Sequence, residues 1–226
     1  MLSYEKVFND KSLLSLILAN FLTIILAAVF NWNPLVIVIG YWLQSIIIGF
    51  FNFIRILMLK NFSTEHFKIN NKEVKPSSGI KIFIAFFFAF HYGFFHLVYG
   101  IFLSTFAGIY IVSQITSTQA VPIAQTLQDL VIAPLIMAVI FFINHLISFI
   151  SNFKENTENQ NIGKLMFKPY VRIIPIHLTI LFGMLFLFSG GIVFTIFFMM
   201  LKTIADIILH QSEHGKWLKN GNLKFS

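Results

Sequence analysis

The sequence predicts an all-α fold: a polytopic integral membrane bundle of six transmembrane helices, with the N-terminus and the C-terminus both inside. Three observations predict it. Hydrophobic residues make up 57% of the 226 residues and charged residues only 11%, with a mean hydropathy of +0.81. The apolar residues form blocks of about 20 or more, which is long enough to cross a bilayer. Basic residues lie in alternate connections between these blocks or in the adjoining helix ends.

The six predicted spans follow one another along a single membrane domain, residues 1–226. They are residues 13–31, 34–59, 80–112, 128–152, 171–189 and 191–211. The first apolar run is longer than the core of a signal peptide and no clear cleavage site follows it, so we interpret it as a span. The third is long and contains three glycines, so we expect it to tilt, kink or project beyond the bilayer.

The basic residues predict the orientation. All sixteen Lys and Arg residues lie in, or beside, segments 1–12, 60–79, 153–170 and 212–226, and Asp129 is the only acid near the opposite connections. The positive-inside rule therefore places loops 60–79 and 153–170 and both termini in the cytoplasm, in a multi-pass protein of the plasma membrane. Topology explains the net charge of +7, so the expected partner is the lipid bilayer and no nucleic acid. The sequence is compatible with an oligomer as well as with a monomer.

Several kinds of chemistry are excluded by composition. The chain has no cysteine, so it has no disulfide, thiolate ligand or cysteine nucleophile. It also has no nucleophile elbow, no glycine loop for phosphate and no haem-attachment motif.

Ionisable side chains from separate spans fall into one layer near the predicted inner face. His91 lies about three turns into the third span, His145 about two turns from the inner end of the fourth, and His177 about two turns into the fifth. Asp206 and His210, one turn apart, occupy the inner end of the sixth. A hydrogen-bonded packing network is the simpler interpretation of any one histidine. A network could use Ser, Thr or Asn instead, so the set as a whole favours a functional site.

A set of His and Asp is the usual ligand set for zinc, iron or manganese where cysteine is absent. The sequence therefore predicts a divalent metal bound by His91, His145, His177, Asp206 and His210. A second set of side chains would orient these ligands or contact a substrate. Its members are Lys202, Arg172, Asn52, Gln44, Tyr170 and His96.

Five stretches together resemble, in order and spacing, a family of prokaryotic membrane proteins, the domain of unknown function 6498 family. They are "YWLQSIIIGFFNFIRIL", "FFFAFHYGFFHLVYGIF", "INHLISFISNF", "MFKPYVRIIPIHLTILFG" and "LKTIADIILHQSEH". The resemblance covers residues 34–214 and brings no activity. It implies signature positions at His91, Gly93, His145, Pro169, Tyr170, Arg172, His177, Lys202, Asp206 and His210.

The chain departs from the family pattern at two places. Gln44-Ser45 stand where the pattern has Glu-Asn, and Tyr99 stands where it has a second histidine, with His96 nearby instead. Gln44 cannot supply the ionised carboxylate that a glutamate would.

The residues leave three classes of function open. The first is a metal-dependent membrane enzyme acting on a lipid or another membrane-embedded substrate. The second is a proton- or ion-coupled transporter that uses the same side chains as a relay, although no inverted repeat is evident. The third is a non-catalytic membrane subunit or scaffold. The sequence therefore does not decide whether the protein is an enzyme, and it specifies neither a substrate nor a transported species.

Overall fold

In the computed structural model, the described part of the chain is predominantly helical. It comprises residues 34–65, 67–69, 71–117, 122–151, 157–178 and 199–205, together with positions 25, 153, 196, 197 and 207. Residues Leu35–Ile176 form one compact unit, and Met1–Pro34 with His177–Ser226 form a second.

Three described helices are long and apolar enough to cross a membrane: Leu35–Met58, Ser78–Thr116 and Ile123–Ser151. They confirm the second, third and fourth predicted spans as helices, and the fourth begins five residues earlier than expected. Of the fifth and sixth predicted spans, residues 171–178, 196–197, 199–205 and 207 are described. Residues 171 and 172 belong to a 3-10 turn, and the others are α-helical. The first span lies outside the described residues apart from Ile25, which is helical.

Helix α1 runs from Pro34 to Met58. Proline suits the first turn, because its fixed φ is already helical and its missing N–H has no partner there. The buried side of α1 carries Val38, Tyr41, Ser45, Asn52 and Ile56, each no more than 4% exposed. These positions recur every three, four or seven residues and therefore lie on one face.

Helix α2 runs unbroken from Ser78 to Thr116, and Ser77 caps it by accepting a hydrogen bond from the Ile80 N–H at 3.3 Å. Its buried residues also recur every three or four positions: Ile84, Ala85, Phe88, Tyr92, His96, Tyr99, Leu103 and Phe106. The helix continues through the internal glycines, and its 39 residues correspond to a length of about 58 Å.

The third apolar helix contains a π-helical turn near its N-terminal end. After α3 (Ile123–Leu127), residues Gln128–Ile132 form a π-helical turn, and α4 continues from Ala133 to Ser151. The Ala133 N–H donates to the Gln128 carbonyl, five residues back. Pro134 has no N–H for the Leu130 carbonyl, and the wider turn accommodates its ring.

Two connections meet at one end of these helices. In the connection from α1 to α2, strands β1 (Lys68–Ile69) and β2 (Lys72–Glu73) form a small antiparallel hairpin. The backbone of Ser63 donates to the Gln160 carbonyl at 2.9 Å and accepts from the Ile162 N–H at 3.0 Å. The stretches around residues 60–65 and 157–162 therefore lie at the same end.

The segment after α4 is not the simple loop that the sequence predicts for 153–170. Helix α5 covers Ile162–Phe167, and a 3-10 turn covers Lys168–Arg172. Asn161 caps α5 by accepting the Lys164 N–H at 3.0 Å, and it ties the segment to the first connection by donating to the Glu65 carbonyl at 2.9 Å. Ile162, Leu165 and Met166 are no more than 5% exposed, so this segment packs against the helices.

Candidate functional site

The contact most relevant to chemistry joins α2 to the 3-10 turn. The Nδ1 atom of His91 lies 2.8 Å from the hydroxyl oxygen of Tyr170. The His91 ring also stacks on Phe87, with centroids 5.5 Å apart, and meets the edge of Phe95 at 5.1 Å. One ring nitrogen is thus fixed by hydrogen bonding while the side chain as a whole stays exposed.

Two proton arrangements fit this hydrogen bond. If Nδ1 carries the proton, it donates to the Tyr170 oxygen, and Nε2 has a lone pair that can bind a metal or accept a proton. If the phenol donates instead, Nε2 carries the proton. Burial raises the pKa of Tyr170 to about 12, so the phenol remains protonated at neutral pH in either arrangement.

Tyr170 is held in place by aromatic side chains. Its ring meets Phe88 at 6.0 Å and Tyr92 at 5.4 Å, both edge to face, and Phe167 at 6.0 Å. Such pairs favour one ring orientation. The geometry of the His91–Tyr170 pair therefore depends on the packing of α2 against the segment that follows α4.

A second polar contact fixes the crossing of α1 and α2. The Tyr92 hydroxyl lies 2.8 Å from Ser45 Oγ and donates to the Ser45 carbonyl at 3.0 Å. Gly49 makes room for the ring, because a Cβ at this position would lie 2.7 Å from Tyr92 Cδ1 and closer still to Cε1. Ser45 and Gly49 form the small-xxx-small pattern that lets membrane helices approach closely.

Asn52 has a structural partner. It is 4% exposed, and its side-chain amide donates to the Leu165 carbonyl at 3.1 Å. In a regular helix this carbonyl would accept from residue 169, but that residue is Pro169, which has no N–H. Asn52 therefore supplies the missing donor and connects α1 to α5.

His96 is the most deeply buried described histidine, with 4% of its side chain exposed. Its Nδ1 lies 2.9 Å from the Tyr92 carbonyl oxygen, which can only accept, so Nδ1 carries the proton. Among the described residues, no hydrogen-bond partner reaches the buried Nε2 atom.

The remaining predicted residues fall in different surroundings. His145 is partly buried on α4, with its ring against Phe141 at 4.4 Å and Phe51 at 5.9 Å. Gln44, Arg172 and Lys202 are partly buried, and His177 is exposed in the helical stretch 173–178. Asp206 and His210 lie outside the described residues.

The predicted metal ligands do not form a cluster within the described chain. No three His, Asp or Glu side chains among those that the structure describes are grouped so that they could hold one ion. The structure does bring together His91, from the third predicted span, and Tyr170, from the end of loop 153–170, which the sequence assigned to the same site as a metal ligand and a surrounding residue.

Three residues of this region were not assigned to the site by sequence reasoning: Ser45, Tyr92 and Trp42. The Trp42 indole N–H donates to the His96 carbonyl at 3.1 Å. The sequence feature that could have indicated this helix crossing is the small-xxx-small spacing of Ser45 and Gly49. The apolar periodicity of each helix could not, because it does not determine the register between two helices.

The sequence matches a family described as a family of unknown function (DUF6498) over residues 5–222. The chain belongs to the DUF6498 family. This agrees with the resemblance carried by the five stretches, and the family description names no activity. A search of curated proteins finds no match. A search of solved structures finds none either.

Proposed function

We propose that this DUF6498 protein is a six-span membrane enzyme whose polar site, near one end of the bundle, acts on a lipid or another membrane-embedded substrate. The hydrogen bond between His91 and Tyr170 carries this proposal. A histidine that acts as a metal ligand or general base usually has its second ring nitrogen oriented by a hydrogen bond, as here.

The proposed topology places both termini and loops 60–79 and 153–170 in the cytoplasm. It is supported by the confinement of Lys and Arg to these segments and their flanks, and by the backbone hydrogen bonds between the two connections. The site would then face the inner leaflet of the plasma membrane, where a lipid headgroup and water can both reach it.

The proposed cofactor is a divalent metal, with zinc, iron and manganese as the candidates. Its ligands are those that the sequence predicts: His91, His145, His177, Asp206 and His210. Such an ion would activate water or polarise the substrate. This ligand set rests on residue type and predicted depth alone.

Proton-coupled transport is the second candidate, and the same hydrogen bond favours it. A phenol and an imidazole within 2.8 Å can pass a proton between them, and ionisable groups within membrane spans often form relays. A scaffold is the third candidate, favoured by the structural contacts of Asn52 and Tyr92.

Elemental analysis of the purified protein distinguishes these candidates. We expect close to one metal ion per chain in the wild type and loss of most of it in His91→Ala and Asp206→Ala. Tyr170→Phe should retain the ligands but weaken metal affinity by about 10- to 100-fold, because it removes only the orienting hydrogen bond. His66→Ala, in loop 60–79, is the matched control and should bind metal like the wild type.

The protein must be purified without chelators and without a polyhistidine tag. A folded wild type that contains no metal would overturn the metal-enzyme proposal. The proton-relay candidate then predicts that His91→Ala abolishes proton uptake by proteoliposomes, whereas the scaffold candidate predicts no uptake in any variant.

A further inference from the structure

The segment of residues 162–172, which comprises α5 and the 3-10 turn, has a buried apolar side and an outer side with a different composition. On the outer side, Lys164 is exposed, Phe167 is 60% exposed and Lys168 is partly exposed. The Lys168 N–H donates to the Lys164 carbonyl, so α-helical spacing continues as far as Lys168. Residues three and four apart then share a face. An exposed phenyl ring thus lies on the same face as two lysines.

The segment begins beside the polar connections and runs towards the apolar part of the helices. The Ile162 N–H donates to the carbonyl of Ser63, which lies in the connection between α1 and α2. Tyr170, further along the segment, contacts His91, which lies within the long apolar run of α2. Lys164 therefore lies near the boundary between the polar connections and the apolar helices. In a membrane protein, this boundary meets the lipid headgroups.

The two connections at this end have an excess of basic residues. Segments 59–77 and 157–172 contain seven Lys and Arg residues but only three Glu residues. The basic residues are Lys60, Lys68, Lys72, Lys75, Lys164, Lys168 and Arg172. Such an excess attracts anionic headgroups to this end of the protein. Lys164 and Lys168 add a local attraction, because they share a face with an exposed apolar ring.

The outer side specifies what kind of molecule would cover it. A soluble anion such as inorganic phosphate would neutralise the lysines but would leave Phe167 in water. A zwitterionic lipid would cover the ring, but its own ammonium group would compete with the lysines for its phosphate. An anionic phospholipid offers both a phosphate without a competing cation and a hydrocarbon chain.

We propose that the outer side of segment 162–172 binds an anionic phospholipid, whose phosphate is held by Lys164 and Lys168 and whose acyl chain lies against Phe167. The Phe167 ring contacts Tyr170, with centroids 6.0 Å apart, so the bound lipid lies beside the His91–Tyr170 pair. This inference does not depend on the proposed enzyme activity or on a metal.

The test is native mass spectrometry of the full-length protein, delipidated in detergent and treated with a chelator. The probe is phosphatidylglycerol, and the comparison is phosphatidylcholine with the same acyl chains. We expect the affinity for phosphatidylglycerol to be about 10- to 30-fold higher, because each of the two lysines near a lipid headgroup contributes about fivefold.

Three variants complete the design. Lys164→Gln/Lys168→Gln should lower the affinity for phosphatidylglycerol to that for phosphatidylcholine. Lys60→Gln/Lys75→Gln, which removes the same charge from two other exposed positions, is the matched control and should stay within about twofold of the wild type, because distant charges are screened. Phe167→Ser should weaken the binding of both lipids by about three- to tenfold, because it removes apolar contact with an acyl chain.

Equal affinity of the wild type for the two lipids would overturn the proposal. So would equal losses in the two double variants, which would show a general effect of charge in place of a site at Lys164 and Lys168. If Lys164→Gln/Lys168→Gln does not fold, the single variant Lys164→Gln, at an exposed position, should still lose about fivefold in affinity for phosphatidylglycerol. Because the protein is metal-free in this assay, failure here is distinct from failure of the metal-enzyme proposal.

Discussion

At the scale of single residues, the packing of Tyr92 from α2 against α1 depends on the hydrogen atom that Gly49 has in place of a side chain. Tyr92 fills that space, and its hydroxyl is committed to Ser45 at both the side chain and the backbone. The ring cannot move away from an added methyl group without loss of these hydrogen bonds.

We therefore predict that Gly49→Ala lowers the free energy of unfolding by about 1–3 kcal/mol, which is the usual cost of overpacking. Gly93→Ala is the matched control, because a Cβ there has no neighbour within 4 Å. It should be neutral or stabilise the protein by up to about 1 kcal/mol through helix propensity. Both changes in the free energy of unfolding can be measured by reversible unfolding in mixed micelles, with circular dichroism as the signal. Equal effects of the two substitutions would contradict this account of the crossing.

Individual site residues were only partly predictable. His91 was assigned to the site from its predicted depth, and Tyr170 was named as a surrounding residue and as a signature position of the family resemblance. The structure places the two side chains in contact. The roles of Ser45, Tyr92 and Trp42 depend on which turn of α1 faces which turn of α2. The pattern of apolar residues identifies the buried face of each helix but does not fix the axial offset between them.

At the scale of elements, Asn52 and Pro169 act as a pair across two helices. Proline leaves the Leu165 carbonyl without its helical donor, and Asn52 supplies one from α1. Asn52→Leu should therefore cost about 1–3 kcal/mol of unfolding free energy, as expected for a buried carbonyl that loses its partner.

The same substitution should cost less in a Pro169→Ala background, because an alanine at this position provides a backbone N–H for the Leu165 carbonyl. A double-mutant cycle with both single variants and the double variant measures this coupling. An equal cost of Asn52→Leu in the two backgrounds would show that the Leu165 carbonyl is not the group that Asn52 serves.

Among the elements, the long helices were predictable and the short ones were not. The predicted span 34–59 matches Pro34–Met58 closely, and the predicted span 80–112 lies within Ser78–Thr116. Uninterrupted apolar runs specify such helices locally. Helix α5 is only six residues long, follows a polar stretch and gives way to the 3-10 turn that contains Pro169. So short a helix depends on its cap at Asn161 and on burial against other elements, and the burial is a tertiary effect.

At the scale of the whole molecule, the described helices alternate in direction, and the two connections that follow α1 and α4 are hydrogen-bonded to each other. Because the chain has no cysteine, single cysteines can be introduced and labelled with a membrane-impermeant maleimide. Glu65→Cys and Lys164→Cys should be labelled from one side only, and Ser117→Cys from the other; all three positions are exposed.

In intact cells we expect only Ser117→Cys to react, whereas lysed cells should label all three. Each variant in lysed cells is the control for accessibility of its own thiol. Labelling of Glu65→Cys and Lys164→Cys from opposite sides would contradict the proposed topology. Labelling of both variants in intact cells would show that the orientation is the opposite of the one proposed.

The length of α2 has a consequence for the surrounding lipid. Its apolar stretch from Ile82 to Val112 extends for about 46 Å, whereas the hydrocarbon core of an ordinary bilayer is about 30 Å thick. Even at a tilt of about 40°, near the upper end for membrane helices, the stretch still spans about 36 Å. If α2 lies in a bilayer over this whole stretch, we expect a positive hydrophobic mismatch. The protein should then be most stable in bilayers of long acyl chains and should thicken a thin bilayer around itself, so its distribution among membranes would follow their thickness.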